Sequence, residues 1–435
     1  MIALLRVLMA LCSLTTAAHF LRFGTLWDAV PCVLPMTALA WPRILPRPLL
    51  CMAALGGALL WVDHAANLVQ WRLSLGQPWV RLAAILGSVC VAHLTALALL
   101  AGQAGRRLFG DLDGVAWSKT AIFVLVSATL VLAGATTKIP LLMGERFFPD
   151  SGSFWIVAFA LYGAAIGGLL LGNRADRVRG RIWTLFSAVF FGQLALGLAG
   201  WSAFLMTGKL HLPVPALILA GPIYRGEGFF MLTLLAVSLA LVGPAWCSHL
   251  CYIGAWDDRL ARWDFGRPKT LPAWAPRLRM AILVATILTP LVLRAMHIPW
   301  IWALGLAAAF GLAGVGIMLL WSRRTGTMTH CTTWCPVGLV NNLLGRILPW
   351  RIRIDAGCTR CGACAAACRY NALTRADLDR NRPGLTCSLC GDCLPRCLHA
   401  HIGYAFAGLD PQRSRQLFVV LVTTLHAVFL AVARI

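Results

Sequence analysis

Charge is scarce in this chain. Asp, Glu, Lys and Arg make up 12% of its 435 residues, while hydrophobic residues make up 59%. Soluble domains carry about twice that charged fraction, so a wholly soluble fold is excluded. Acidic residues are scarcer still, 16 against 38 basic ones, and the formal net charge is +22. Such an excess raises the question of nucleic acid, but no basic face interleaved with aromatic residues is present, and nucleic acid is excluded as a partner. The first apolar segment also lacks the basic start of a secretory signal. It has Arg6 alone before the small pair Ala17-Ala18, and is read as a retained helix.

What fills the chain instead is apolar sequence. A bilayer core of about 30 Å requires roughly 20 apolar residues in a helix, and about eleven stretches qualify. They lie near 2–20, 27–41, 49–63, 79–101, 120–136, 153–173, 183–206, 229–250, 279–297, 299–321 and 416–434. The second and third are short, and Pro31, Pro35, Pro42, Pro46 and Pro48 punctuate them, which suits a re-entrant hairpin. Basic residues alternate between the loops. Arg43 and Arg47, then Arg106, Arg107 and Lys119, then Arg174, Arg177, Arg179 and Arg181 mark one side. Arg259, Arg262, Arg267, Lys269, Arg277, Arg279, Arg323 and Arg324 continue it. Cytoplasmic loops collect such residues. The N-terminus and the cysteine-rich segment after residue 350 are therefore expected in the cytoplasm of a bacterial cell, with the chain crossing the inner membrane many times. The same excess favours anionic lipid headgroups and an acidic soluble partner.

Eight of the 16 cysteines fall into two identical runs. Cys358, Cys361, Cys364 and Cys368 form C-x2-C-x2-C-x3-C, and Cys387, Cys390, Cys393 and Cys397 repeat it 29 residues later. A cubic iron–sulfur cluster takes three thiolates from one such loop, and in two-cluster ferredoxins the fourth crosses to the other cluster. One [4Fe–4S] cluster would then take Cys358, Cys361, Cys364 and Cys397, the other Cys387, Cys390, Cys393 and Cys368. Zinc is the competing metal, but its sites pair C-x2-C with a distant second pair. Cys387 follows Cys368 by 19 positions, the spacing of a compact βαββαβ-like ferredoxin unit. Cys12, Cys32, Cys51 and Cys90 stand alone in apolar segments and are read as buried packing residues.

A second pair of motifs lies upstream. Cys247-Ser-His-Leu-Cys251-Tyr-Ile-Gly254 and Cys331-Thr-Thr-Trp-Cys335-Pro-Val-Gly338 both read C-x3-C-x2-G, 84 residues apart, each after a hairpin of apolar helices. Residues four apart share one side of a helical turn, so each pair presents two thiols together. Three readings compete for Cys247, Cys251, Cys331 and Cys335: a metal or additional iron–sulfur centre, two redox-active dithiols, and small residues at helix ends. His249 and His330 adjoin the pairs and are read as hydrogen-bonded interfacial residues. Residues 336–350 are expected to form an amphipathic helix on the membrane surface.

These motifs together resemble the NapH/NosR-type membrane ferredoxins, a family that includes MauN and CcoG-type proteins. The resemblance covers roughly residues 183–404 and rests on two C-x3-C pairs ahead of a two-cluster ferredoxin segment. It implies electron transfer between the quinone pool and another redox protein subunit, as the electron-transfer part of a quinol-dependent oxidoreductase. The sequence departs from the family pattern at Tyr252, which stands where proline follows the pair, and at Arg369 and Leu398, which stand where proline follows the fourth cluster cysteine. No soluble stretch is long enough for the flavin domain of NosR. Ala133-Gly-Ala-Thr136 resembles a flavinylation site but is read as small-residue packing.

The expected fold is an all-α polytopic membrane protein with a small α+β ferredoxin-like domain inserted before the last helix. Its parts are N-terminal membrane helices (1–119), a membrane core with the repeated C-x3-C motifs (120–350), the ferredoxin domain (351–404) and a C-terminal membrane helix (415–435). Electrons would pass between quinol, the four-cysteine membrane-boundary site and the two clusters. Asp63 with His64, Glu145, Asp150 and Glu227 are the proton acceptors first considered, and a haem between His93 and His64 or His426 is a minor alternative. Two rival functions stand: a CcoG-like maturation or sensing factor that reduces metal without quinone turnover, and a transporter with a redox switch.

Overall fold

In the computed structural model the described residues are 1–435 without 43–44, 138–139, 205–211, 264–265 and 433–435, so Arg43 of the basic series lies outside them. Ten helices among the described residues are long and apolar enough to cross a bilayer. This is the expected all-α polytopic architecture, with one span fewer than counted. The difference sits at 27–41, where the chain forms two seven-residue helices, Leu26–Cys32 and Leu34–Ala40. Each is about 10 Å long, too short to cross.

Contacts divide the chain into two compact units, Met1–Gly168 and Leu169–Ile435. The first holds the spans Ile2–Arg22, Arg47–Ser74, Val80–Ala101 and Gly114–Thr136, and most of Gly152–Leu170. The stretch expected to be short, 49–63, belongs to a 28-residue helix. It runs past its apolar window because Asn67 donates to Asp63 at 3.1 Å one turn below, and it stops where Gly76 turns left-handed at φ +64°. The core of this unit packs Leu5, Met9, Ala38, Leu49, Leu50 and Leu100. His93 is buried there, with Nδ1 2.9 Å from the Val89 carbonyl and Nε2 3.3 Å from Thr16 Oγ1. His64 lies edge-on to His19 and Trp61. Both nitrogens of His93 thus have protein partners, and axial ligation of a haem would require breaking one of those contacts.

The second unit contains the spans Ala175–Leu198, Phe230–Leu250, Ala275–Ala295, Trp300–Thr325 and Pro411–Val432. Between the last two lies the cysteine-rich segment, closed by one antiparallel pair, β1 (Arg351–Ile354) and β2 (Ile402–Ala405), with Arg351 opposite Ala405 and Ile354 opposite Ile402. Among the described residues these are the only strands, so the βαββαβ expectation reduces to its first and last members. The sequence between them is taken by cysteine loops and by the short helices Ala363–Ala367 and Arg375–Asp379, the latter fixed by a Thr374/Asp377 capping box. Both strands alternate as a sheet requires, β1 burying Ile352 and Ile354 and β2 burying Ile402 and Tyr404. The helix expected on the membrane surface is Pro336–Gly345, and it is buried along Val337, Leu339, Asn341 and Asn342. Its polar face carries asparagines that bond inside the protein, so it packs against protein on that side.

Candidate functional site

The 29-residue cysteine repeat is written into the backbone as well as the side chains. Arg360 and Leu389, each just before the second cysteine of a run, have φ of +55° and +56°. Gly362 and Gly391, just after it, have φ of +78° and +77°, and Asn371 and Ala400 follow at +52° and +55°. Left-handed conformations at non-glycine residues cost of order 1–2 kcal/mol and gather at functional sites. Alternating hands of backbone turn successive N–H groups inward, which makes a cradle for an anion. Gly391 has a second constraint: a Cβ there would sit 2.3 Å from Tyr404 Oη. Gly391→Ala is therefore expected to cost at least about 1–2 kcal/mol and to strip bound iron, read as iron per purified chain. Full iron content and unchanged thermal stability would contradict this account of the loop.

Cys368, Cys387, Cys390 and Cys393 line one cavity, with Tyr370 and Asp392. Cys358, Cys361, Cys364 and Cys397 line another, with His399 and His401. The fourth cysteine of each run thus lies with the first three of the other. Among the described residues no three His, Cys, Asp or Glu side chains converge to hold a single ion. Four thiols line each cavity, and the Ala372 N–H is directed at Cys368 Sγ over 3.3 Å, a donor set that suits an iron–sulfur cluster. Burial pushes the Cys368 and Cys387 thiols up to about 12 and raises Cys390 and Cys393 further. Metal binding must therefore displace protons from these sulfurs. Cys361 is exposed, so the second of these cavities faces solvent.

The C-x3-C pairs are built alike. Trp246–Leu250 and His330–Trp334 are single wide π turns, a helix distortion frequent at functional sites. Cys251 (ψ 113°) and Cys335 (ψ 117°) then leave the helix and cap the ten-residue helices Tyr252–Ala261 and Pro336–Gly345. Their sulfurs receive backbone N–H groups from Ile253 and Gly254, and from Val337 and Gly338. The glycine ending each motif is explained by space: a Cβ on Gly254 would meet the Cys247 carbonyl at 2.9 Å, and one on Gly338 the Cys331 carbonyl at 3.0 Å. All four sulfurs lie within electrostatic range of one another. Tyr252, standing in place of proline, stacks on Phe190 at 3.9 Å.

Around these thiols sit residues whose roles the sequence hid. Arg279, 3% exposed, donates to the Cys331 carbonyl at 3.0 Å and to Asn342 Oδ1 at 2.9 Å. Its charge lies near Cys335, Cys247 and Cys331, and among the described residues no carboxylate pairs with it. Asn341 donates to Cys247 Sγ at 3.1 Å. Asp257 accepts the Cys331 N–H at 2.9 Å, and burial pushes its carboxyl up to about 6.

Three hydrogen bonds tie this cluster of thiols to the first ferredoxin cavity. Tyr370 donates to the Cys247 carbonyl (3.1 Å), Ser248 to the Ser388 carbonyl (2.8 Å) and Asn342 to the Cys387 carbonyl (3.1 Å). Beside them Arg179, 1% exposed, grips Asp392 through Nε at 2.8 Å and a terminal nitrogen at 2.7 Å, and reaches Asp258 at 3.2 Å. Arg262 completes the network on both carboxylates. Arg179 and Arg279 belong to the basic series expected in loops, yet both are buried.

Asp63 bonds Asn67, and Glu145 lies against Gly152, both in the first unit. Of the adjoining histidines, His249 has Ser248 Oγ at 3.0 Å from Nδ1, as expected of a bonded residue. His330 is buried against Gly314, where a Cβ would lie 2.8 Å from Nδ1. A family model described as a 4Fe-4S binding domain matches residues 227–270 and 302–355, the two segments that carry the C-x3-C pairs. Comparison with curated proteins and with solved structures returns no match.

Proposed function

Starting from a many-helix membrane protein with a 4Fe-4S binding domain, we propose that the chain passes electrons between the quinol pool and a partner redox protein. Cys358, Cys361, Cys364 and Cys397 would hold one [4Fe–4S] cluster, and Cys387, Cys390, Cys393 and Cys368 the other. Bound there, the clusters supply one-electron transfer, with potentials set by burial and by hydrogen bonds to sulfur. The observation that carries this reading is the set of three hydrogen bonds joining the Cys387–Cys390 loop and Tyr370 to the turn of Cys247 and to Asn342. It makes the buried cavity contiguous with the membrane-boundary thiols, while the other cavity has Cys361 at the solvent end.

Cys247, Cys251, Cys331 and Cys335 would form a further iron–sulfur centre between quinol and these clusters. Arg279 supports it: a cation buried without a carboxylate needs negative charge nearby, and metal-bound thiolates supply it. The NapH/NosR-type assignment rests on the C-x3-C pairs and the double ferredoxin run standing in one chain. The loop charges favour a bacterial inner membrane with the ferredoxin segment on the cytoplasmic side. A groove lined by Arg346, Arg353, Arg380 and Arg382 beside Cys387 suits an acidic partner.

Anaerobic protein mixed with a short-chain quinol is expected to develop reduced-cluster EPR signals. Signals that answer dithionite and never a quinol would replace this reading with the metal-reducing, maturation-type one.

A further inference from the structure

We propose that Arg279 sets the reduction potential of the four-thiol site at the membrane boundary. The inference rests on the reading of Cys247, Cys251, Cys331 and Cys335 as an iron–sulfur centre and assigns that centre its fixed counter-charge. Arg279 lies one turn into the Ala275–Ala295 span and is 3% exposed. Its Nη2 donates to the Cys331 carbonyl at 3.0 Å and to Asn342 Oδ1 at 2.9 Å. Asn342 in turn donates to the Cys387 carbonyl at 3.1 Å. One hydrogen-bonded chain thus leads from the second C-x3-C turn, through the guanidinium, to the loop of the buried ferredoxin cavity.

The guanidinium occupies a space that the motif leaves open. A Cβ on Gly338 would lie 3.0 Å from Arg279 Nη2 and 3.8 Å from the Cys335 Cβ, so the bare glycine admits the cation to the turn that carries Cys335. The matching glycine of the first motif, Gly254, makes room for Trp183 instead, with a Cβ there 2.6 Å from the ring. Trp183 Nε1 donates to the Cys251 carbonyl at 2.8 Å. A neutral side chain therefore does the packing in one copy of the repeat. Packing alone does not call for a positive charge in the other.

Electrostatics gives that charge its role. A buried cation without a counter-charge is costly, and among the described residues no carboxylate pairs with Arg279. Asp257 accepts the Cys331 N–H at 2.9 Å and makes no ion pair with it. Protonated thiols are neutral and leave the cation uncompensated, whereas metal-bound thiolates compensate it. An added electron makes such a centre more negative, and a fixed cation beside it favours that reduced form. Net charge and burial are among the levers that set cluster potentials. Arg279 thus holds the potential up, which lets a mild donor such as a hydroquinone reduce the centre.

The test uses the full-length anaerobic protein in detergent, with redox titration followed by EPR. Wild type is expected to carry about four more iron atoms than the quadruple variant Cys247→Ser, Cys251→Ser, Cys331→Ser and Cys335→Ser. Arg279→Gln keeps a donor without the charge, and Arg279→Lys keeps the charge without the planar fork. Arg279→Gln is expected to shift the one-electron equilibrium of the four-thiol centre at least about tenfold against reduction, about 59 mV downward. Arg279→Lys should stay near the wild type. Thermal unfolding supplies a second readout through a mutant cycle. Arg279→Met should lower the unfolding temperature of the wild type and raise that of the quadruple variant, where the cation has no thiolates to face. Equal potentials in Arg279→Gln and wild type, or Arg279→Met effects of one sign in both backgrounds, would make Arg279 a packing residue and leave the iron–sulfur site standing. Iron unchanged by the four serine substitutions would instead remove the iron–sulfur reading of these cysteines. Loss of the site's iron in Arg279→Gln alone supports the charge role, and loss in Arg279→Lys as well overturns it. Should Arg279→Met fail to fold, Arg279→Gln replaces it in the cycle and the same signs decide.

Discussion

Cys368→Ser is expected to abolish the same cluster as Cys387→Ser, although Cys368 belongs to the other sequence run. The expectation follows from the lining of the two cavities, where Cys368 stands with Cys387, Cys390 and Cys393, and Cys397 with Cys358, Cys361 and Cys364. Each single substitution should remove about four iron atoms per chain, and the double variant Cys368→Ser with Cys387→Ser no more than either alone. Cys397→Ser should instead abolish the cluster lost in Cys358→Ser. Iron and sulfide analysis with EPR of the reduced protein reads this directly. A pattern in which Cys368→Ser and Cys358→Ser remove one shared signal would mean that each run binds its own cluster, and the crossed arrangement would have to be given up.

The second large effect concerns Arg179. Its guanidinium is enclosed, two of its nitrogens meet both oxygens of Asp392, and Asp392 lies between Cys390 and Cys393 in the loop lining the buried cavity. Arg179→Ala leaves Asp392 and Asp258 with Arg262 as their remaining cation. Removing one partner of a buried pair costs about 3–5 kcal/mol, because the other charge stays out of water. Thermal unfolding in detergent, followed by cluster absorbance, should shift sharply downward, with cluster loss coinciding with unfolding. Arg179→Lys should fall between, since an ammonium keeps the charge and loses the planar two-point grip. An Arg179→Ala protein that unfolds like the wild type would mean that the network contributes little to seating the ferredoxin segment.

The cysteine runs were legible because cluster binding is a local problem: spacing within eleven residues decides which sulfurs share a loop. The spans were legible for a similar reason, since hydropathy needs no partner. What sequence could not reveal was burial created by residues far along the chain. Arg179 reads as one of four arginines in a basic loop, and the carboxylate that encloses it is 213 positions away. Arg279 stands two residues from Arg277 and looks equivalent, yet it lies against thiols contributed by both C-x3-C turns. The Leu26–Ala40 segment was apolar enough to be counted as a span, but the turn at Val33 between its two helices leaves each too short.

The pairing of β1 with β2 closes the cysteine-rich segment at both ends, and Phe418 of the last span stacks on Tyr404 of β2 at 4.2 Å. Tyr404 in turn donates to the carbonyl of Leu389, inside the second cysteine loop. The span Pro411–Val432 is thereby anchored to the second cysteine loop through one aromatic contact and one hydrogen bond, so a displacement of that helix is carried to the wall of the buried cavity.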